Sequence, residues 1–423
     1  MNRRKRQIEL IRHLICLFAG TAVAITVIFL CITRFTADKG DEATATSSTA
    51  SLNDTSDTTS SSEYSYAAAA VEETPAPTPT AEPVPDTTIN LCMVGDLLLS
   101  DSINSSCTDG AGNYDYNILF QNISWRLQNY DLRIINEETA CGGTDYGITG
   151  YPSFNSPHAA QDAVANAGFN CVLLATNHML DYGPNPLFST LNYWQTNYPS
   201  IITTGAYNSE EASNNISIYE KDGFKIAILN YTYGSNAGDG SYYDVPWALN
   251  TLNEDEIYAD IQQAKTMADY IIVCPHWGTE YNTSIDDSQN YWSSLFLEWG
   301  VDMVIGTHPH VIEPIEVKTN DSGHQMIVYY SLGNFVSSQD YGYSLVGGMA
   351  DVTLRKTSTG VTVDDFGVIP LITHKGSYFS TYFMTDYSQD MVAASNANIM
   401  DPDFTYDYAV NLANSIFGDR IRS

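Results

Sequence analysis

From residue 88 onward, short apolar runs alternate with stretches of helical period. INLCMVG (89–95), LRIIN (132–136), CVLLA (171–175), KIAILNY (225–231), YIIVC (270–274) and VDMVIG (301–306) carry almost no alternation. A strand covered on both faces reads that way, so these runs predict buried strands of α/β type. Helical patterns fall between them, around 117–129, 159–167, 186–196, 254–268 and 288–299. In the fourth, Ile257, Ile261, Ala264 and Ala268 recur at helical spacing and make one apolar face. Beyond Pro314 the rhythm becomes strand after strand: IEVK, QMIVYYSL, GMADVTLR and GVTVDDFGVIPLI. A βα-rich part followed by a β-rich part predicts an α/β sandwich with a mixed sheet. Residues after Ser377 read as a strand remnant, a loop and a terminal helix, Tyr408–Phe417, and no internal repeat is evident.

Two segments of different character precede this body. Leu14–Thr33 is an uncharged apolar run of twenty residues, the length of a membrane-spanning helix. The cluster Arg3–Arg6 stands before it, which leaves residues 1–13 in the cytoplasm and exports the chain beyond Arg34. A cleavable signal peptide would have a shorter apolar core ending in a small-x-small site, so residues 14–33 are read as an uncleaved signal anchor. Residues 34–87 are rich in Ser, Thr, Ala and acids, then in alternating proline (Pro75, Pro77, Pro79, Pro83, Pro85). With little to bury, they predict a disordered tether. The expected organisation is a single-pass protein of the plasma membrane with its folded body outside.

Charge narrows the partners. The 423-residue chain carries 18 Lys and Arg against 50 Asp and Glu, a net charge of −32. Seven of the basic residues lie in 1–39, leaving 11 basic against 48 acidic residues beyond. Such a body repels nucleic-acid phosphates, and any polyanionic partner needs bridging cations or a local basic pocket. Seven cysteines are too few for a disulfide framework. Only Cys107 and Cys141 fall in polar loops where a bridge would be expected; Cys92, Cys171 and Cys274 read as buried thiols.

Residues able to do chemistry follow the strands one after another. The first run ends at Gly95-Asp96, the second at Asn136-Glu137-Glu138, and the third leads to Asn177-His178 with Asp181 beyond. YIIVC is followed by His276-Trp277-Gly278-Thr279-Glu280, and VDMVIG by Thr307-His308-Pro309-His310. Sites in open α/β sheets form at such carboxyl ends. Singly, each residue has an ordinary alternative: Asp96 as a helix cap, Asn177 as a turn residue, His276 as a packed ring, Glu138 as a surface acid. Together they make a ligand set for hard-to-borderline divalent metals, and no cysteine joins it. Trp277, Tyr281 and Tyr182 are candidates for an aromatic wall or for packing. Glu280 is a candidate partner of His276 or an exposed acid, and Ser331 and Asn334 are candidates to shape a turn beneath the site.

GDLLLS (95–100), NEET (136–139), TNHMLDYG (176–183), HWGTEY (276–281), GTHPHVIEPIE (306–316) and YSLGNF (330–335) together resemble the CapA family of poly-γ-glutamate capsule biosynthesis proteins. The resemblance spans 88–375 and leaves 376–423 as a C-terminal extension. That family is similar in turn to the calcineurin-like metallophosphoesterases. The implied fold is therefore a metallophosphoesterase-like ββ sandwich flanked by helices, with one or two divalent ions (Mn, Fe or Zn). By position, the resemblance implies Asp96 and His310 on a first metal, Glu138 bridging, and Asn177, His276 and His308 on a second. His178 is implied as the non-ligand residue that protonates a leaving group. Two departures stand out: Leu98 occupies the place of a usual histidine, and the bridging acid is Glu rather than Asp. The resemblance implies a component of a polymer synthesis or export complex with membrane partners. The ligand set itself points to a metal-dependent phosphoesterase or amidase acting on an envelope polymer.

Overall fold

The structure is a computed structural model and describes residues 86–237, 244–397 and 401–423. The anchor and tether expected over 14–87 lie outside the described residues, apart from Asp86 and Thr87. Among the described residues no helix is long and apolar enough to cross a membrane.

In chain order the strands are β1 (Thr87–Leu97), β2 (Leu132–Glu137), β3 (Cys171–Leu173), β4 (Ile202–Thr204), β5 (Ser217–Lys221), β6 (Phe224–Thr232) and β7 (Tyr270–His276). Then come β8 (Met303–Ile305), β9 (Ile315–Thr319), β10 (Gln325–Tyr329), β11 (Asn334–Val336), β12 (Val346–Thr357), β13 (Gly360–Lys375) and β14 (Phe379–Phe383). One sheet has the order β14-β13-β12-β1-β2-β3-β4, with β11 also pairing β1; the other runs β5-β6-β7-β8-β10-β9. β1 to β4 pair in parallel, as do β6 to β8, whereas β12 to β14 are antiparallel.

Alternation along each strand builds three cores. Ile89, Leu91 and Met93 of β1 meet Tyr270, Ile272 and Cys274 of β7 in the core between the sheets. Cys92 and Val94 point the other way, toward Leu187, Leu191 and Trp194 of the helix Pro184–Asn197. Ile271 and Val273 of β7 likewise pack on Ile257 and Ile261 of the helix Glu254–Ala264 and on Phe296 of the helix Asp287–Glu298. The result is an α/β/β/α sandwich, and double coverage is why these strands read as unbroken apolar runs. Each of the six early runs is a strand. Segment 376–423 supplies edge strand β14, and its helix Tyr406–Phe417 buries Ala409, Ala413 and Phe417 in the inter-sheet core.

The structure corrects two expectations. Residues 117–129 form no continuous helix: a 3-10 turn, Asn117–Leu119, is followed by one helical turn, Ser124–Leu127. Leu119, Phe120, Ile123 and Leu127 are all buried, and apolar spacing alone does not separate the two arrangements. Cys107 and Cys141 do not bridge; both are free, buried thiols in the same helix-side core.

Candidate functional site

Two glycines let the backbone approach closely where the site is built. A Cβ on Gly95 would lie 1.8 Å from the Gly333 carbonyl oxygen, and one on Gly306 would lie 2.1 Å from that of Tyr330. The β1–β2 register shifts between Val94 and Asp96, and this irregularity sits where Asp96 is presented at the strand end. Asn136, opposite Asp96 in that register, donates from Nδ2 to Asp96 Oδ1 at 2.8 Å, and the His308 amide donates to Oδ2 at 3.2 Å.

The remaining strand ends converge on this carboxylate. Glu138 is fully buried, its backbone held by the Leu97 carbonyl and the Thr176 hydroxyl. His276 closes β7; its Nδ1 lies 3.0 Å from Thr307 Oγ1 and its Nε2 lies 2.8 Å from Asn177 Oδ1. Glu138 Oε1 is 3.7 Å from His276 Nε2 and 3.5 Å from His310 Nε2, while His310 Nδ1 is 3.3 Å from Asp96 Oδ2. His308 and His310 adopt φ of +100° and +59°, a region non-glycine residues rarely occupy. Such strain persists only where surrounding structure enforces it, and here it turns both rings into one cluster.

Burial sets the protonation states. Burial pushes His276 and His308 well below the ordinary imidazole range, and neighbouring imidazoles add to it, so both present neutral rings. Burial also opposes charge on His310, but Glu138 and Asp96 carry it up to about 9. Glu138 itself is raised by burial, against the pull of His310. Both Glu138 carboxylate oxygens, His308 Nδ1 and Asn177 Nδ2 are buried without hydrogen-bond partners.

Orphaned carboxylate oxygens beside the neutral imidazoles of His276 and His308 are a donor set suited to cations. Asp96, Glu138 and His310 offer ligand atoms within 4.8 Å of one another, as do Glu138, His276 and His308. Glu138 belongs to both groups. The residues therefore fit two adjacent divalent ions.

The surroundings divide by role. His178 Nδ1 lies 2.8 Å from Asp181 Oδ2, which also accepts from the Phe154 amide, and its Nε2 lies 3.4 Å from Asn236 Nδ2. Asn334 Oδ1 lies 3.0 Å from His310 Nδ1. Trp277 belongs to the core instead of a substrate wall: fully buried, it stacks on Phe296 and Tyr330 and donates from Nε1 to the Tyr330 carbonyl. Tyr281 is half-exposed, its ring centroid 6.1 Å from that of His310, and Tyr182 is exposed. Glu280 is exposed and its carboxylate lies within 4.8 Å of both His308 and His310. A cleft of about 360 Å³ opens beside the cluster, lined by Leu98, Phe154, Tyr281 and Tyr341 among others.

Several neighbours escaped sequence reasoning as site residues. Asn136 and Thr307 lie within the strand-end motifs, and their polarity after apolar runs was the available signal. Tyr233, whose ring centroid is 4.6 Å from that of His308, follows β6, where no pattern marks a site.

This is an α/β two-sheet sandwich with its polar cluster at consecutive strand ends. The chain belongs to the bacterial capsule synthesis protein family PGA_cap, whose model matches residues 90–339. It is 32% identical over 210 residues to the PGA biosynthesis protein CapA of Bacillus subtilis, covering 49% of this chain and 52% of that one. It is 27% identical over 297 residues to the capsule biosynthesis protein CapA of Bacillus anthracis, covering 68% of each. The match thus spans about half the length of the first relative. Among solved structures, it is similar to a calcineurin-like phosphoesterase of Bacillus subtilis (TM-score 0.40, 14% identity, 77% of this chain and all of that one). A putative 5'-nucleotidase of Staphylococcus aureus gives a TM-score of 0.43 at 17% identity, over 67% of this chain and 54% of that one.

Proposed function

We propose that this protein acts in the assembly or export of an anionic capsule polymer of the poly-γ-glutamate type, and that it carries a divalent-metal centre with hydrolytic capacity. The observation that carries the metal centre is Glu138: fully buried, with neither oxygen partnered, and shared by two imidazole-bearing ligand groups. A buried carboxylate that accepts no hydrogen bond is costly unless positive charge meets it. Family membership and the CapA relatives support the capsule setting. In this reading Leu14–Thr33 anchors the chain in the plasma membrane of a bacterium, residues 34–87 tether the body outside, and membrane proteins of the polymer machine are its partners.

Asp96 and His310 would hold one ion, Asn177, His276 and His308 the other, with Glu138 between them. Bound there, Mn, Fe or Zn would polarise the oxygens of a phosphoester or amide and acidify water. Asp181 fixes the ring of His178 through Nδ1, leaving Nε2 to exchange a proton with a leaving group. Tyr281, Tyr341 and Leu98 offer a wall for the group next to the bond attacked.

The test is metal content of the purified protein beside a His276→Ala/His308→Ala double variant. One or two equivalents of bound metal, lost in the variant, would justify screening phosphoester and γ-glutamyl substrates. A folded wild-type protein that binds no metal at saturation would overturn the hydrolytic reading and leave a scaffold role.

A further inference from the structure

The two candidate ion positions are unequally furnished. Glu138, His276 and His308 are joined by Asn177, whose Oδ1 lies 2.8 Å from His276 Nε2, giving four side-chain donors. Asp96, Glu138 and His310 offer three, and the nearby Leu98 side chain has none to give. Borderline divalent ions take four or more donors, so one more is wanted on the His310 side.

Glu280 is the further carboxylate that lies beside His310. One of its carboxylate oxygens and a ring nitrogen each of His308 and His310 lie within 4.8 Å of one another. The loop carrying it is fixed to the histidine loop. Tyr281, at φ +62°, donates its amide to the Pro309 carbonyl at 2.8 Å, and a Cβ on Gly278 would meet Gln289 at 2.6 Å and Pro309 at 3.1 Å. His308 Nδ1 is buried and unpartnered, so this cluster has an unmet polar atom of its own. Glu138 is fully buried, whereas Glu280 is exposed.

We infer that Glu280 is a metal ligand, an exposed carboxylate that joins His308 and His310 at the edge of the centre. This rests on the metal centre proposed above. An exposed ligand loses little hydration on binding, so Glu280 can yield its place to an incoming substrate oxygen while the buried ligands hold the ions.

The experiment is titration of the full-length protein with Mn²⁺, read by equilibrium dialysis and by the electron paramagnetic resonance of the bound ions. Wild type is expected to bind two Mn²⁺ with a spin-coupled signal. Glu280→Gln is expected to bind the second ion at least about tenfold more weakly and to lose the coupled signal, by the scale on which ligand shells tune affinity. Its melting temperature without metal should match wild type, because the side chain is exposed, and Glu280→Asp should recover part of the affinity. Two ions bound with unchanged affinity and coupling in Glu280→Gln would overturn the role of Glu280 while leaving the centre intact. No Mn²⁺ bound by wild type would overturn the centre itself.

Discussion

Glu138 presents two opposed demands at a single residue. Its carboxylate is buried without a hydrogen bond, with His310 Nε2 at 3.5 Å to offset its charge, and it stands where both candidate ligand groups meet. Glu138→Gln keeps the shape and removes the charge. The same variant should bind divalent metal at least ~10-fold more weakly. Mn²⁺ titration reads the affinity and urea denaturation in chelator checks the fold; a variant that loses both stability and metal would show a structural role instead. Asp181→Asn separates catalysis from binding in the same way. It should leave metal content unchanged and lower turnover ~10²- to 10⁴-fold on a responsive substrate, because His178 loses the carboxylate that orients it.

At the scale of elements, the site depends on how the two sheets are joined. Asn230 of β6 accepts from the Leu174 and Ala175 amides beyond β3 and donates to the Cys274 carbonyl of β7, at 3.0, 2.6 and 2.7 Å. This single amide links one sheet to the other beneath Asn177 and His276. Asn230→Ala removes this partner from the Ala175 amide and the Cys274 carbonyl, while the Leu174 amide keeps the Thr204 carbonyl, so an equilibrium loss of about 1–3 kcal/mol per unmet group is expected, with metal affinity falling alongside. Glu313 brings pH dependence to a loop beyond the histidines. Burial raises its carboxyl to about 8, against the hydrogen bond it accepts from Gln289. The native chain therefore keeps a proton that the unfolded chain has shed above its ordinary carboxylate range. Stability should fall as pH rises through roughly 4.5 to 8, at up to ~1.4 kcal/mol per pH unit, and level off above it. Glu313→Gln should remove that slope from urea midpoints measured at pH 5, 6, 7 and 8. A residual slope of the same sign is expected from Glu137, which burial also raises to about 8.

These elements also show what a sequence can carry. β1, β2, β3, β6, β7 and β8 were legible because both faces are covered, and the polar residues after them were legible because they interrupt apolar runs. β4, β5 and β11 were not: ITT, SIYEK and NFV are three to five residues long with no sustained pattern. Trp277 was ambiguous because an aromatic residue next to a candidate ligand can face either way from a strand end, and here it faces Phe296 and Tyr330. Asn230 lay hidden inside KIAILNY, since one amide in an apolar run does not announce three backbone partners.

Across the whole molecule, charge and placement act together. β1 joins the sandwich at Thr87 and delivers Asp96 nine residues later, roughly 30 Å away at ~3.3 Å per residue. Any ligand reaching the site must contend with a body carrying 48 acidic residues against 11 basic ones after residue 39. A polyanion such as poly-γ-glutamate is repelled at long range by that field, and added monovalent salt only screens the repulsion. An ion held as proposed by Asp96, Glu138 and the imidazoles would change the sign of the local interaction and offer a position to a carboxylate of the polymer. Binding of labelled poly-γ-glutamate, followed by fluorescence anisotropy, is therefore expected only with Mn²⁺ or a similar ion present. It should vanish with chelator and weaken in the His276→Ala/His308→Ala variant. Binding that persists in chelator, or that the double variant leaves intact, would move the polymer contact away from this centre and onto another face of the protein.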